Sequence, residues 1–402
     1  MVKEYFFIIL SNLGRFVIPF LFIPLASRGL NTTDFTSLTL TLSFATWAAL
    51  IVEFGFNFSA GNKIKYTSGT RRIHFVAWNV LVAKIILSAV SVFIGIYCSL
   101  FLFSSVSLSY LFLFWLYCFS VGGISSFVFV ATRRSSMLMI GEGAGVALFL
   151  MMIAVIWLLD LQDKLYAFLL ALTGYRLAIF AFFSYVSGVF KAKLKRWVFG
   201  WHELKTSLGY GLYQISSSLY LYGISIVASF VIDKRIIVYH VLAERVYRIV
   251  TFSFTPLSRL IFTRINNVTD ERDKAQVQKK GLIISLAYGF LLTGIFYYAS
   301  PQVISMMFGE RYSPASANLW VLALSFPVAF CNGILSSTLF LATRRMQYLN
   351  RTIVAAGLSC IPVCYVLADY YPKIAASVTY LFAEMLILVL FCLYWFKNKE
   401  LK

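Results

Sequence analysis

Long apolar runs alternate with short polar segments along the whole chain. Each run continues for about 20 residues, the length an α-helix needs to cross the hydrocarbon core of a bilayer. The runs are continuous and not of period two, which excludes the strands of a transmembrane barrel. The pattern predicts twelve helices, at roughly 5–26, 36–60, 75–102, 109–131, 137–159, 165–190, 206–232, 241–263, 281–307, 316–342, 352–369 and 374–396. The first run has no small-residue cleavage site behind it and reads as an uncleaved span, not a signal peptide. The eighth is the least apolar, because it carries Glu244, Arg245, Arg248 and Arg259; Pro256 is expected to bend it.

The polar segments carry the topology. The chain has 35 Lys and Arg residues, and 23 of them fall in alternate connections, beginning with Lys3 and ending with Lys402. The intervening connections carry only 6, namely Arg28, Lys164, Lys234, Arg235, Arg311 and Lys373, and the other 6 lie inside spans. Cytoplasmic loops concentrate basic residues, so both termini are expected on the cytoplasmic side of the membrane. This bias accounts for most of the net charge of +19. Nucleic acid is not an expected partner, since no soluble basic domain exists to bind it. With 60% hydrophobic and 13% charged residues, the chain has about half the charge of a soluble domain. Its class is an all-α integral membrane protein.

One phrase occurs twice: "SSFVFVATRR" at Ser125–Arg134 and "SSTLFLATRR" at Ser336–Arg345, identical at seven of ten positions. Both copies end at the cytoplasmic mouth of a predicted span, the fourth and the tenth, six spans apart. An even separation lets both copies enter the membrane in the same direction, as parallel repeats require. The expected organisation is therefore a bundle over 1–190, a basic cytoplasmic linker over 191–205 ("KAKLKRWVFGWHELK") and a second bundle over 206–402, around a central cleft.

Ionised groups at membrane depth need a wet or paired site. The cations there are Arg15, Lys84, Arg176, Arg245, Arg248 and Arg259; the anions are Glu53, Glu142, Glu244 and Glu384. The excess of cations suits an anionic cargo, and arginine offers phosphate two parallel donors. Arg15 and Arg176, near the middle of their spans, are the first candidates. Two readings stay open for Lys84 and Arg259, which can line the cleft or reach the cytoplasmic surface. Two also stay open for Arg248, which can bind cargo or neutralise Glu244 one turn away. Glu53, Glu142, Glu244 and Glu384 are candidates for ion coupling or for charge pairing. Tyr210, Tyr213, Tyr220 and Tyr222 can stack on sugar rings or simply pack.

The six cysteines lie inside apolar runs, and no His or third Cys joins Cys360 and Cys364 to complete a metal site. No phosphate-binding glycine loop, dinucleotide fingerprint or nucleophile elbow occurs. Neither a cofactor nor an enzymatic activity is expected.

Three segments resemble a known family. "EFGFNFSAGNKI" (Glu53–Ile64) is similar to the acidic, aromatic and glycine-containing segment closing the second helix of O-antigen flippases of the Wzx type. "FTPLSRLIFTRI" (Phe254–Ile265) is similar to their eighth-helix ending. "PQVISMMFGERYSPASANLWVLALSFP" (Pro301–Pro327) resembles their ninth-to-tenth helix region, with Phe308, Gly309, Tyr312 and Ala315 at its core. The family belongs to the multidrug/oligosaccharidyl-lipid/polysaccharide exporter superfamily. The resemblance implies movement of undecaprenyl-pyrophosphate-linked oligosaccharide from the cytoplasmic to the periplasmic leaflet by alternating access. It also implies a cavity lined by basic residues, here Arg15, Lys84, Arg176, Arg245 and Arg248. A polymerase and a chain-length regulator of the same pathway would be partners. A drug or ion antiporter of the same fold is the nearest alternative, although its cavity should be acidic. A membrane glycan polymerase or ligase is the more distant one, and would need a larger extracytoplasmic loop than "SSVSLS", "DLQDK" or "DYYPK" provides.

Overall fold

The computed structural model describes residues 21–65, 69–103, 107–132, 134–159, 163–192, 198–254, 257–258, 260–261, 264–265, 268, 270–341 and 346–399. Helices account for the regular structure of these residues, and no strand occurs among them. In chain order they are α1 (21–29), α2 (Thr32–Glu53), α3 (Phe56–Lys65), α4 (Thr70–Phe103), α5 (Leu108–Gly123), α6 (Ser126–Ala131), α7 (Ser135–Leu158) and α8 (Lys164–Val186). After these come α9 (Val198–Val231), α10 (Lys234–Phe252), α11 (Glu271–Phe308), α12 (Ala315–Ala323), α13 (Phe326–Leu335), α14 (Met346–Tyr370) and α15 (Ala375–Lys399). Among the described residues, 8 helices are long and apolar enough to cross a membrane, or 9 if the bent pair α12–α13 is one span. The chain is a multi-pass membrane protein.

Polar residues in the connections start the helices. Asn31 accepts from the Asp34 amide at 2.8 Å, Asp163 from Tyr166 at 3.0 Å, Asp233 from Arg235 at 2.7 Å and Asp270 from Arg272 at 3.1 Å. Each bond satisfies an amide that the first helical turn leaves open. The cap at Asp233 also corrects an expectation: the eighth helix runs over Lys234–Phe252, not 241–263, and turns at Ser253. It is not among the helices apolar enough to cross a membrane. Pro256 and Arg259 lie outside the described residues.

Three expected single spans are interrupted. The second divides into α2 and α3 at Phe54 and Gly55, both with positive φ (49° and 69°). Gly55 is required there, since a Cβ would stand 2.7 Å from the carbonyl oxygen of Tyr210. Glu53 makes the break possible: its carboxylate accepts from the amides of Gly55 at 3.0 Å and Asn57 at 2.9 Å, capping α3. The fourth divides into α5 and α6 at Ile124 and Ser125, where the first copy of the repeated phrase begins. The tenth bends by 44° between α12 and α13, and its last turns, Ser336–Leu341, are a π-helix that coincides with the start of the second copy. Both copies thus begin where regular α-helix stops. Arg133, Arg344 and Arg345 lie outside the described residues.

The chain forms two compact units, Met1–Ile215 and Ser216–Lys402, and the boundary falls within α9. In the first unit Phe54, Phe56, Ala60, Val80, Ala83, Phe127 and Val128 pack into one core. Small residues bring its helices close: a Cβ on Gly122 would meet the Ala49 carbonyl oxygen at 2.5 Å. In the second unit Phe254, Phe330 and Phe326 stack in series, with Phe254 and Phe330 centroids 4.3 Å apart. Large apolar side chains face outward on α11, where Phe290 and Tyr298 are 64% and 77% exposed, as a helix bathed in lipid tolerates.

Candidate functional site

The charged groups of the first unit are inward and partnered. On α4, Lys84 is fully buried and its ammonium donates to the Ile124 carbonyl at 2.9 Å. That carbonyl is set free by the break between α5 and α6, so the lysine satisfies an acceptor that the helix cannot. On α8, the Arg176 guanidinium lies 3.6 Å from a Glu142 carboxylate oxygen of α7 and 4.9 Å from the centroid of the Tyr175 ring. Arg176 is 8% exposed and Glu142 fully buried. The "GEGAG" glycines allow this approach: a Cβ on Gly141 would meet the Phe183 ring at 2.5 Å, and one on Gly145 would overlap Ile179. Glu53 is committed to two backbone amides. Near it, Lys63 of α3 pairs with Glu203 of α9 at 2.5 Å.

The second unit holds a longer polar cluster, centred on α10. Glu244 is 4% exposed. Its Oε1 accepts from Arg248, through Nε at 2.8 Å and through a terminal nitrogen in closer contact. Its Oε2 accepts from the Ser225 hydroxyl of α9. The Arg248 guanidinium also lies over the Tyr222 ring of α9, 3.9 Å from the centroid, where the negative π face adds to its stabilisation. One turn before Glu244, His240 is 2% exposed, with Nε2 3.9 Å from Glu244 Oε2. His240 Nδ1 is 2.8 Å from the Ser377 hydroxyl of α15. That hydroxyl donates to Asn318 Oδ1 of α12 at 2.7 Å, and Asn318 Nδ2 donates to the Lys373 carbonyl at 2.9 Å. Further along, Asn332 donates to Glu384 Oε2 at 2.7 Å and to the Glu384 carbonyl at 2.9 Å.

Two of the residues singled out in the sequence therefore share one arrangement, once in each unit: an arginine held between a glutamate and a tyrosine ring. Arg176 has Glu142 and Tyr175; Arg248 has Glu244 and Tyr222. A guanidinium so placed stays ionised and ordered inside protein, because the carboxylate offsets part of its desolvation. Arg245 is half-buried on the same helix as Arg248. Tyr210 is 37% exposed. Arg15 and the side chains of Tyr213 and Tyr220 lie outside the described residues. His240, Ser225, Asn318 and Ser377 were missing from the sequence-based candidates. The signal for one was present: His240, Glu244 and Arg248 recur at intervals of four along one helix face.

The sequence profile of the polysaccharide biosynthesis protein family matches residues 1–262. No curated protein is a significant match. Solved structures similar in fold include the following three. An inward-facing multidrug resistance MATE family transporter of the MOP superfamily is 14% identical with a TM-score of 0.72, over 96% of this chain and 93% of that one. An inward closed lipid II flippase, MurJ, is 14% identical with a TM-score of 0.71, over 98% and 86%. A MOP superfamily transporter from Pyrococcus furiosus, described as having a binding pocket of reversed polarity, is 13% identical with a TM-score of 0.64, over 98% and 94%.

Proposed function

The chain belongs to the polysaccharide biosynthesis protein family, and from that premise we propose that it is a flippase for a lipid-linked oligosaccharide. The cargo of this reading is undecaprenyl-pyrophosphate-linked oligosaccharide, an O-antigen or similar repeat unit. It moves from the cytoplasmic to the periplasmic leaflet of a bacterial inner membrane by alternating access, drawing on an ion gradient. A charged, hydroxyl-rich headgroup does not cross hydrocarbon unaided, because its polar groups would lose their hydrogen bonds to water. The protein's part is to supply substitutes for that water, and no covalent step is needed. Both termini are cytoplasmic in this reading, and a polymerase and a chain-length regulator receive the product.

The observation that carries the reading is the family match. Arg176 and Arg248 support it, since each is an ionised guanidinium held inside a helical unit beside an aromatic ring. Pyrophosphate can displace the carboxylate from such a guanidinium and accept the same pair of donors. Arg15, Lys84 and Arg245 complete the proposed cationic set; of these, Lys84 is the one whose charge is already spent on a backbone carbonyl.

The test is transport. Purified protein in liposomes should move undecaprenyl-pyrophosphate-linked oligosaccharide between leaflets, and the gene should restore surface polymer to cells lacking their flippase. Variants R15A, R176A and R248A, matched for protein level, should reduce both readouts at least tenfold, the loss of one charged hydrogen-bonded contact. Wild-type protein that flips no lipid-linked glycan but exports organic cations would place the chain with the drug antiporters instead.

A further inference from the structure

His240 is a buried titratable side chain with no role in the proposal above. Its hydrogen bonds determine which ring nitrogen carries the proton. Asn318 donates its Nδ2 to the Lys373 carbonyl, which fixes the amide so that Oδ1 faces Ser377. An amide oxygen can only accept, so the single Ser377 proton is used on Asn318. Ser377 Oγ must then accept from His240, which places the imidazole proton on Nδ1. In the neutral ring Nε2 is left as a bare lone pair. It is buried, has no hydrogen-bond partner, and lies 3.9 Å from Glu244 Oε2.

We propose that His240 Nε2 is a proton-binding site, and that its occupancy sets the charge of the cluster that presents Arg248. With Nε2 bare, the carboxylate of Glu244 and the guanidinium of Arg248 cancel. With Nε2 protonated, two cations share one carboxylate and the cluster carries one net positive charge. The charged neighbours outside this trio, Arg245 on α10 and Glu384 on α15, are present in both states and leave the one-charge difference intact. Tyr222 and Ser225 face the cluster from α9, and Tyr380 and Ser377 from α15, all neutral. Glu384, also on α15, is hydrogen-bonded to Asn332. The helix α12, packed along α10, has no ionisable residue. A proton suits the site better than a sodium ion. Both oxygens of Glu244 already accept from Arg248 and Ser225, and the open group is a ring nitrogen.

The consequence rests on the flippase reading: a pyrophosphate headgroup and this proton bind cooperatively. By linkage, each raises the affinity of the other by the same factor. Cooperativity makes the proton a co-ligand of the headgroup; the counter-ion of an exchange cycle would have to bind elsewhere.

Two experiments separate the site from the function. In the full-length protein labelled with 15N-histidine, the His240 signal is assigned by its loss in H240N. It should report an Nδ1–H tautomer at alkaline pH and a doubly protonated ring at acid pH, over roughly pH 4 to 9. An Nε2–H tautomer, or a ring that never titrates in that window, overturns the proposal whatever the protein transports. S377A should shift the neutral ring toward the Nε2–H tautomer, since it removes the acceptor for Nδ1–H. The second experiment measures binding of undecaprenyl pyrophosphate across the same pH range. Wild type should bind about tenfold tighter at the acid end. H240N, whose amide retains the donor to Ser377 but has no basic nitrogen, should lose this tightening and keep only the pH dependence that the pyrophosphate's own titration at about pH 6 imposes. Equal pH dependence in both proteins overturns the linkage to the headgroup. Failure of wild type to bind undecaprenyl pyrophosphate at any pH overturns the flippase reading and the linkage together, and leaves the proton site to stand or fall on the resonance.

Discussion

The ammonium of Lys84 is hydrogen-bonded to the carbonyl of Ile124, forty residues away, at 2.9 Å in a fully buried position. The bond closes the gap where α5 gives way to α6. K84M should therefore destabilise the protein by about 1–3 kcal/mol, the cost of leaving that carbonyl unsatisfied. Thermal unfolding in detergent measures this. Transport per folded molecule should fall as well, since Lys84 belongs to the proposed cationic set; a K84M protein that is less stable but flips cargo normally would limit its role to the Ile124 carbonyl.

Arg176 and Glu142 form a pair that tolerates joint removal better than removal of either member. R176A should leave a buried carboxylate uncompensated and lower stability by about 3–5 kcal/mol. E142A/R176A should recover most of the lost protein level and none of the transport. Immunoblots alongside a surface-polymer assay read the two quantities separately.

Gly55 and Gly69 both have positive φ, 69° and 102°, but only Gly55 is crowded, by the backbone of Tyr210. G69A should cost about 1 kcal/mol, the backbone term alone. G55A should cost clearly more, because α3 and α9 must also move apart. Comparable melting temperatures for the two variants would contradict the close approach.

The pair of Lys63 and Glu203 is short, at 2.5 Å, yet Lys63 is 35% exposed. Solvent screening should hold its contribution below about 1 kcal/mol. K63A should melt within a few degrees of wild type and show a smaller salt dependence of stability.

The membrane class and most helices could be read from the sequence, because a run of about 20 apolar residues has few other uses. Breaks within spans could not. Glu53 looked like an isolated charge, and only the positive φ of Phe54 and Gly55 reveals it as a cap. The buried cations were found by depth, but depth does not tell a cargo ligand from a structural plug. Lys84 and Arg176 are alike in the sequence; one holds a carbonyl and the other a carboxylate. His240 was overlooked for the same reason, since its partner Ser377 lies 137 residues away and no local pattern joins them.

The π-helix over Ser336–Leu341 takes one more residue per hydrogen-bonded ring than the α-helix before it. It therefore turns its own side chains by about 100° relative to those of an uninterrupted α-helix. Deleting a single residue there, an event that would wreck an ordinary helix, can relax it to α geometry. The second copy of the duplicated phrase is thus a place where the chain can lose a residue and exchange one helix face for another in a single step, while the first copy, with its clean break at Ile124, offers no such adjustment.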